Sequence, residues 1–197
     1  MATVLTVSAS PSATSKSAAV RRLVDAHLTD LGHRVCTLDA RELPAAPLLA
    51  ADTSHPEIAR ALELFEQAQG LVVVTPVYKA AYSGLFKTLL DLLPQSGLAE
   101  KVVLPLATGG TTAHVLAIDY ALRPVLSSLG ATQVVQGYFL LDRDIALGAQ
   151  GPAELGAETR ESLTRAVGRF TLALDLHHGR PQAPAVLDLA TAPRAYN

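Results

Sequence analysis

Three short stretches of the chain carry residue types suited to holding a small polar ligand. The first, Ser8-Ala9-Ser10-Pro11-Ser12-Ala13-Thr14-Ser15-Lys16-Ser17, crowds hydroxyls and one ammonium between an apolar run and a helical pattern. At a helix start the first N–H groups lack intrahelical partners and the dipole is positive, so Ser8, Ser10, Ser15, Lys16 and Ser17 could together hold a phosphate. The same hydroxyls would serve equally well as an ordinary N-cap. The run has neither the glycine spacing of a dinucleotide loop nor the Gly-Lys-Ser/Thr of a Walker loop.

The second stretch, Thr75-Pro76-Val77-Tyr78-Lys79-Ala80-Ala81-Tyr82-Ser83-Gly84, follows the most apolar run of the chain and holds two of its five tyrosines. Aromatics and proline at a strand end suit contact with a flat ring, because rigid side chains give contact area at little entropic cost. Packing of Tyr78 and Tyr82 on their neighbours is the competing use. The third stretch, Ala107-Thr108-Gly109-Gly110-Thr111-Thr112-Ala113-His114, offers paired glycines that admit a close backbone approach and threonines for a polar ring edge. A plain tight turn would use the same glycines. No acid–base dyad stands out. His114 reads as structural, and Lys87, Asp91 and Asp119 as surface or interface charges.

These stretches form one site only if the fold brings them together. Residues 3–8 read as a strand, and Val20, Leu23, Val24, His27, Leu28 and Leu31 fall at helical spacing before Gly32. Val35–Leu38 reads as a second strand, followed by an irregular link at Pro44 and Pro47. A helix over Pro56–Gln69 ends at Gly70, ahead of the buried strand Leu71–Val74. A short helix over Leu85–Leu93 stops at Pro94, and Val102–Ala107 is a strand. A helix over Ala113–Leu129, a strand over Gln133–Leu140 and a long helix over Ala153–Leu176 complete the pattern. Pro105 inside a central strand predicts a bulge or a strand end there.

This alternation predicts an α/β fold with a five-stranded parallel sheet of flavodoxin-like order 2-1-3-4-5 and helices on both faces. Ligands of such sheets sit beyond the carboxyl ends of the strands, where all three stretches fall. The domain is expected over residues 1–177, with an irregular tail over 178–197.

The chain has 197 residues, 49% hydrophobic and 17% charged, and a net charge of −2. That balance suits one globular domain and supplies no basic field for nucleic acid or membrane surface. The N-terminal run lacks the features of a secretory signal, no apolar stretch is long enough to span a membrane, and Cys36 has no partner cysteine. A cytoplasmic location is the expectation.

Four runs carry a resemblance: Thr75–Gly84, Lys87–Pro94, Lys101–Thr111 and Asp119–Leu126. Over residues 70–130 the chain closely resembles the NADPH-dependent FMN reductases, and among them the reductases of bacterial alkanesulfonate desulfonation systems. The likeness is weaker over 1–69 and faint after 140. It implies FMN and NADPH as cofactors, and reduced FMN supplied to a flavin-dependent monooxygenase. It also implies a homo-oligomer, dimer or tetramer. By the same resemblance Ser8, Ser10, Ser15 and Ser17 surround the FMN phosphate, Pro76, Val77 and Tyr78 border the isoalloxazine, and Gly109, Gly110 and Thr111 meet its pyrimidine edge. Ser12 stands where the family pattern has arginine and Ala9 where it has glycine, which leaves Lys16 or Arg21 to supply the charge.

In the sulfonate-system reductases a tyrosine inserted at the position of Tyr120 is associated with a π-helical bulge at a tetramer interface that loosens flavin. Elementary geometry points to the same turn, because Pro124 has no N–H to offer the carbonyl of Tyr120. A proline kink with Tyr120 in a subunit contact is the simpler alternative. Two other functions stay open beside FMN reduction: a quinone or azo reductase that retains its flavin, and a non-enzymatic flavin carrier, which would usually be far more acidic.

Overall fold

A computed structural model describes residues 1–148 and 153–179. Strand β1 (Thr3–Ser8) leads into helix α1 (Lys16–Asp30), which ends at Gly32 with φ +83, a conformation a side chain would resist. Strand β2 (Arg34–Asp39) follows. The link after it is less irregular than its prolines suggest: Pro44 caps a short helix, α2 (Ala45–Leu49), with Pro47 in its first turn, where a missing N–H costs nothing. Helix α3 (Pro56–Gln67) likewise starts on proline.

Strand β3 (Gly70–Tyr78) turns back as the two-residue β4 (Ala81–Tyr82), and α4 (Gly84–Leu90) precedes β5 (Val102–Gly109). A π-helical turn (Ile118–Leu122) runs into α5 (Arg123–Ser128). The expected fifth strand is split into β6 (Gln133–Val134) and β7 (Tyr138–Leu141). An unforeseen hairpin of β8 (Ile145–Ala146) and β9 (Glu154–Leu155) stands before α6 (Ala157–His178). Ala153–Leu155, expected to open the last helix, therefore belong to the hairpin segment. His178, expected to begin an irregular tail, is the last residue of α6; residues 180–197 lie outside those described.

The main sheet runs β2-β1-β3-β5, with β6 and β7 sharing the far edge of β5 and β4 added antiparallel to β3. Its parallel strands follow the expected order. Alternation along them sends Leu5, Val7, Leu71, Val73 and Val103 to one core with α3, α4 and α5. Val4, Val72, Val74, Val102, Leu104 and Leu106 face α1 and α6.

Pro105 causes no bulge in its own strand, since the β3–β5 register is unbroken from Gly70↔Val102 to Pro76↔Thr108. The interruption falls in the neighbour instead. Val103 accepts from the N–H of Val135 on the far side, and main-chain groups two residues on point the same way, so the missing N–H of Pro105 faces the gap between β6 and β7. Gly137 sits in that gap, and a Cβ on it would collide with the Pro105 carbonyl.

The π turn matches the expected place. The N–H of Arg123 reaches the carbonyl of Ile118, five residues back, just ahead of Pro124. Among the described residues no helix is long and apolar enough to cross a membrane.

Candidate functional site

The carboxyl ends of β1, β3, β5 and β7 surround a cleft of about 200 Å³. Ser10, Ser12, Ser15, Lys16 and Ser17 form one wall, Pro76, Val77 and Tyr78 a second, and Thr108, Gly109, Gly110 and Asp142 the third. Ten of the twelve residues singled out from sequence thus meet in one place. Ser8, the last residue of β1, is buried in the sheet and does not line the cleft. Thr111 stands just beyond it as the cap of the 3-10 turn Thr112–His114, its hydroxyl accepting from the N–H of Ala113.

Side-chain bonds lock the walls to one another. Ser15 caps α1 by accepting from the N–H of Ala18, which leaves the first N–H groups of the helix facing the loop. Beneath the cleft the hydroxyls of Ser17 and Thr108 lie 2.7 Å apart, tying α1 to β5. The Ser83 hydroxyl donates to the carbonyl of Ala9 at 2.5 Å and accepts from the N–H of Phe86, so it fixes the hydroxyl-rich loop to the start of α4. Ser83→Ala removes the donor to the Ala9 carbonyl in a buried position, while the Phe86 N–H keeps its bond to the Ser83 main-chain oxygen, and about 1–3 kcal/mol of stability should be lost. Thermal unfolding against wild type measures this; an unchanged midpoint would show that the bonds do not hold the loop.

Lys79 and Ala80 join β3 to β4 with φ +50 and +64, a left-handed pair that favours Asn-Gly. Holding two non-glycine residues there costs about 1–2 kcal/mol each. The hairpin presents Tyr78, 49% exposed, beside the cleft.

The two glycines of the third wall differ. A Cβ on Gly109 would lie 2.8 Å from Phe139 Cζ, so this glycine is needed for packing of the small cluster Ala107, Ile118 and Phe139, not for access. A Cβ on Gly110 would meet nothing nearer than Asp142 Oδ2 at 3.9 Å, so Gly110 opens onto the cleft.

Charge is divided between two basic residues. The Lys16 ammonium enters the cleft and donates to the main-chain oxygen of Asp142. Arg21 is sequestered: it pairs with Asp25 at 2.5 Å and Asp39 at 3.6 Å, so Lys16 carries the local positive charge. Burial pushes the Asp25 carboxyl above its ordinary value, while Thr6 and Arg21 oppose that. Sequence reasoning assigned no role to Asp142. Its signal was available, since it follows the apolar run Tyr138–Leu141 at the carboxyl end of the last strand.

The donor set fits a flavin mononucleotide. Hydroxyls, a helix start and an ammonium face a phosphate at one end, and an open backbone turn with a half-exposed tyrosine faces a ring at the other. Volume alone would mislead: a larger hollow of about 480 Å³, lined by Leu62, Phe65, Leu93 and Lys101 among others, lies at the opposite end of the sheet. It lacks the strand-end hydroxyls and glycines.

The fold is that of a flavodoxin-like α/β protein, with its cleft at the carboxyl ends of the parallel strands. The family model of the NADPH-dependent FMN reductases matches residues 2–146, and the chain belongs to that family. An FMN reductase (NADPH) of Pseudomonas putida is 46% identical over 187 residues, 94% of each chain. The solved apo structure of an NADH:FMN oxidoreductase, EMOB, superposes with a TM-score of 0.80 at 35% identity, covering 93% of this chain and 92% of that one. A short-chain flavodoxin associated with a bacterial microcompartment shares the fold, with a TM-score of 0.63 at 18% identity over 88% and 99%. The protein is an NAD(P)H-dependent FMN reductase, with FMN and NADPH as its cofactors.

Proposed function

We propose that FMN binds in the strand-end cleft with its phosphate against Ser10, Ser15, Lys16 and Ser17 and its ring system between Pro76-Val77-Tyr78 and Thr108-Gly109-Gly110. The observation carrying this is the convergence of those walls on one cleft whose open side is Gly110. Hydride transfer between nicotinamide and flavin is chemistry the two cofactors supply. The chain's part is orientation: the α1 start and Lys16 anchor one end, Tyr78 covers a ring face, and the Ser17–Thr108 bond keeps the walls in register. No proton-transfer residue is needed.

The flavin acts as an exchanging substrate, and reduced FMN passes to a flavin-dependent monooxygenase that desulfonates sulfonates in the cytoplasm. Supporting this are the π turn beside the site and the sequence likeness to sulfonate-system reductases over residues 70–130. Purified protein with NADPH should consume nicotinamide at a rate that saturates in added FMN. Yellow protein whose rate ignored added FMN would instead be a reductase with retained flavin.

The exposed patch Val115, Leu116 and Tyr120 is the surface through which copies of the chain associate. Tyr120 is 78% exposed on the π turn, and such a patch marks a contact surface. Tyr120→Ala should shift the oligomer toward smaller species by light scattering at micromolar concentration. An unchanged mass would place the subunit contact elsewhere.

A further inference from the structure

Helix α6 ends far from the FMN cleft, beside a second hollow. The His178 ring lies 3.4 Å from the Gln69 carbonyl and the His177 ring 3.1 Å from that of Glu100. Gln69 follows α3 and Glu100 precedes β5, so α6 delivers its cap, Gly179, to the amino end of the sheet. There lies the hollow of about 480 Å³, and Ala99 and Lys101, the two neighbours of Glu100, are part of its lining. Leu62, Phe65 and Leu93 give it apolar walls, and the exposed Glu63 and Glu66 border it. Lys101 is buried, and its ammonium is spent on the carbonyls of Ala68 at 2.8 Å and Glu66 at 3.3 Å. Among the described residues neither Glu63 nor Glu66 stands in an ion pair. The hollow is therefore apolar inside and acidic at its edge.

The sequence that follows Gly179 has the matching character. Its bulky aliphatic residues are confined to Val186, Leu187 and Leu189, and its two arginines, Arg180 and Arg194, outnumber its one acid, Asp188. We propose that residues 180–197 fold back on their own chain, with Val186, Leu187 and Leu189 in the hollow and the arginines toward Glu63 and Glu66. The residues from 180 to 185 span up to about 20 Å when extended, ample for a hollow that begins beside Glu100. A short tether holds the segment at millimolar effective concentration, so burial of three aliphatic side chains suffices without a tight intrinsic fit. A second copy or a free apolar ligand lacks that advantage.

Thiol labelling of the full chain tests the docking. In a Cys36→Ser background, Ser96→Cys places a single thiol in the lining of the hollow. Its modification should be about fivefold slower than in the same chain ended at Gly179, the protection given by a segment docked about four-fifths of the time. Val186→Asp with Leu187→Asp in the full chain should restore the fast rate while leaving residues 1–179 untouched. Should the shortened chain not fold, this pair carries the comparison alone. The protection should not vary with protein concentration. Equal rates in the full and shortened chains, or protection that survives the aspartate pair, would overturn the docking. Protection that grew with protein concentration would overturn the own-chain occupant and put the tail of a second copy there. The FMN cleft lies at the other end of the sheet, so each result stands whatever flavin titration shows.

Discussion

Gly110→Leu should fold normally and lose most of its FMN binding, because the side chain fills the cleft. The direction in which a side chain would grow from Gly110 is free of protein atoms out to Asp142 Oδ2 at 3.9 Å, and Gly110 does not adopt a left-handed φ. Leucine therefore strains no backbone and displaces no core residue. It occupies the space that the ligand needs, in a cleft of only about 200 Å³. The neighbouring substitution should behave in the opposite way. Gly109→Ala pushes a methyl against Phe139 at 2.8 Å, and overpacking of this kind costs about 1–3 kcal/mol. Thermal unfolding and flavin titration on both variants separate the effects. A Gly110→Leu protein that binds FMN like wild type would remove the cleft from consideration.

The second large effect is on stability. Phe170→Ala should cost about 3–5 kcal/mol, a substantial share of the 5–15 kcal/mol available to a folded domain. Phe170 is fully buried on the inner face of α6, with Leu174 one turn on. Its ring tip lies where a Cβ of Gly70 would stand, at 2.7 Å, so the start of β3 has no side chain that could move into the vacated space. The cavity stays open, and the cost should fall in the upper part of that range. Denaturant unfolding at fixed protein concentration reads it as a lower midpoint with an unchanged slope. A loss below about 1 kcal/mol would mean that α6 repacks onto the sheet.

Several elements were legible because their signals are local. The apolar run before Thr75 marks a strand buried on both faces, Pro56 marks a helix start, and Gly32 a helix stop. The π turn was legible for the same reason, because the missing N–H of Pro124 acts on the turn that precedes it. Other elements misled because helical and extended spacing overlap in short segments. Leu155, Thr159 and Leu163 sit at intervals a helix would use, yet Leu155 pairs with Ile145 in a hairpin. The run from Gln133 to Leu140 looks like one strand. Its partner β5 carries Pro105, which offers no N–H to the ladder at that point.

The site divides along the same line. The hydroxyl-rich loop, the Tyr78 hairpin and the Gly109-Gly110 pair were visible as residue types next to strand ends, and the parallel-sheet rule put them on one edge. Sequence could not tell that Gly109 serves packing and Gly110 serves access, since both have the same side chain and only their surroundings differ. Nor could it decide between Lys16 and Arg21. That choice follows from Asp25 and Asp39, which lie on α1 and at the end of β2 and meet Arg21 only once those elements pack.

By itself, the sequence determined the succession of the main parallel strands and helices, the two-sided parallel sheet and the gathering of the three polar stretches at one end of it, because hydrophobic period and turn chemistry are written in neighbouring residues. The tertiary structure alone decided which charges survive in the cleft and which hydroxyls point into it. Ser8 is buried, Arg21 is neutralised, and Asp142, 126 residues from Lys16, accepts a hydrogen bond from its ammonium on the main-chain oxygen. Charge and access at a point depend on what distant segments bring there, and that information exists only after packing.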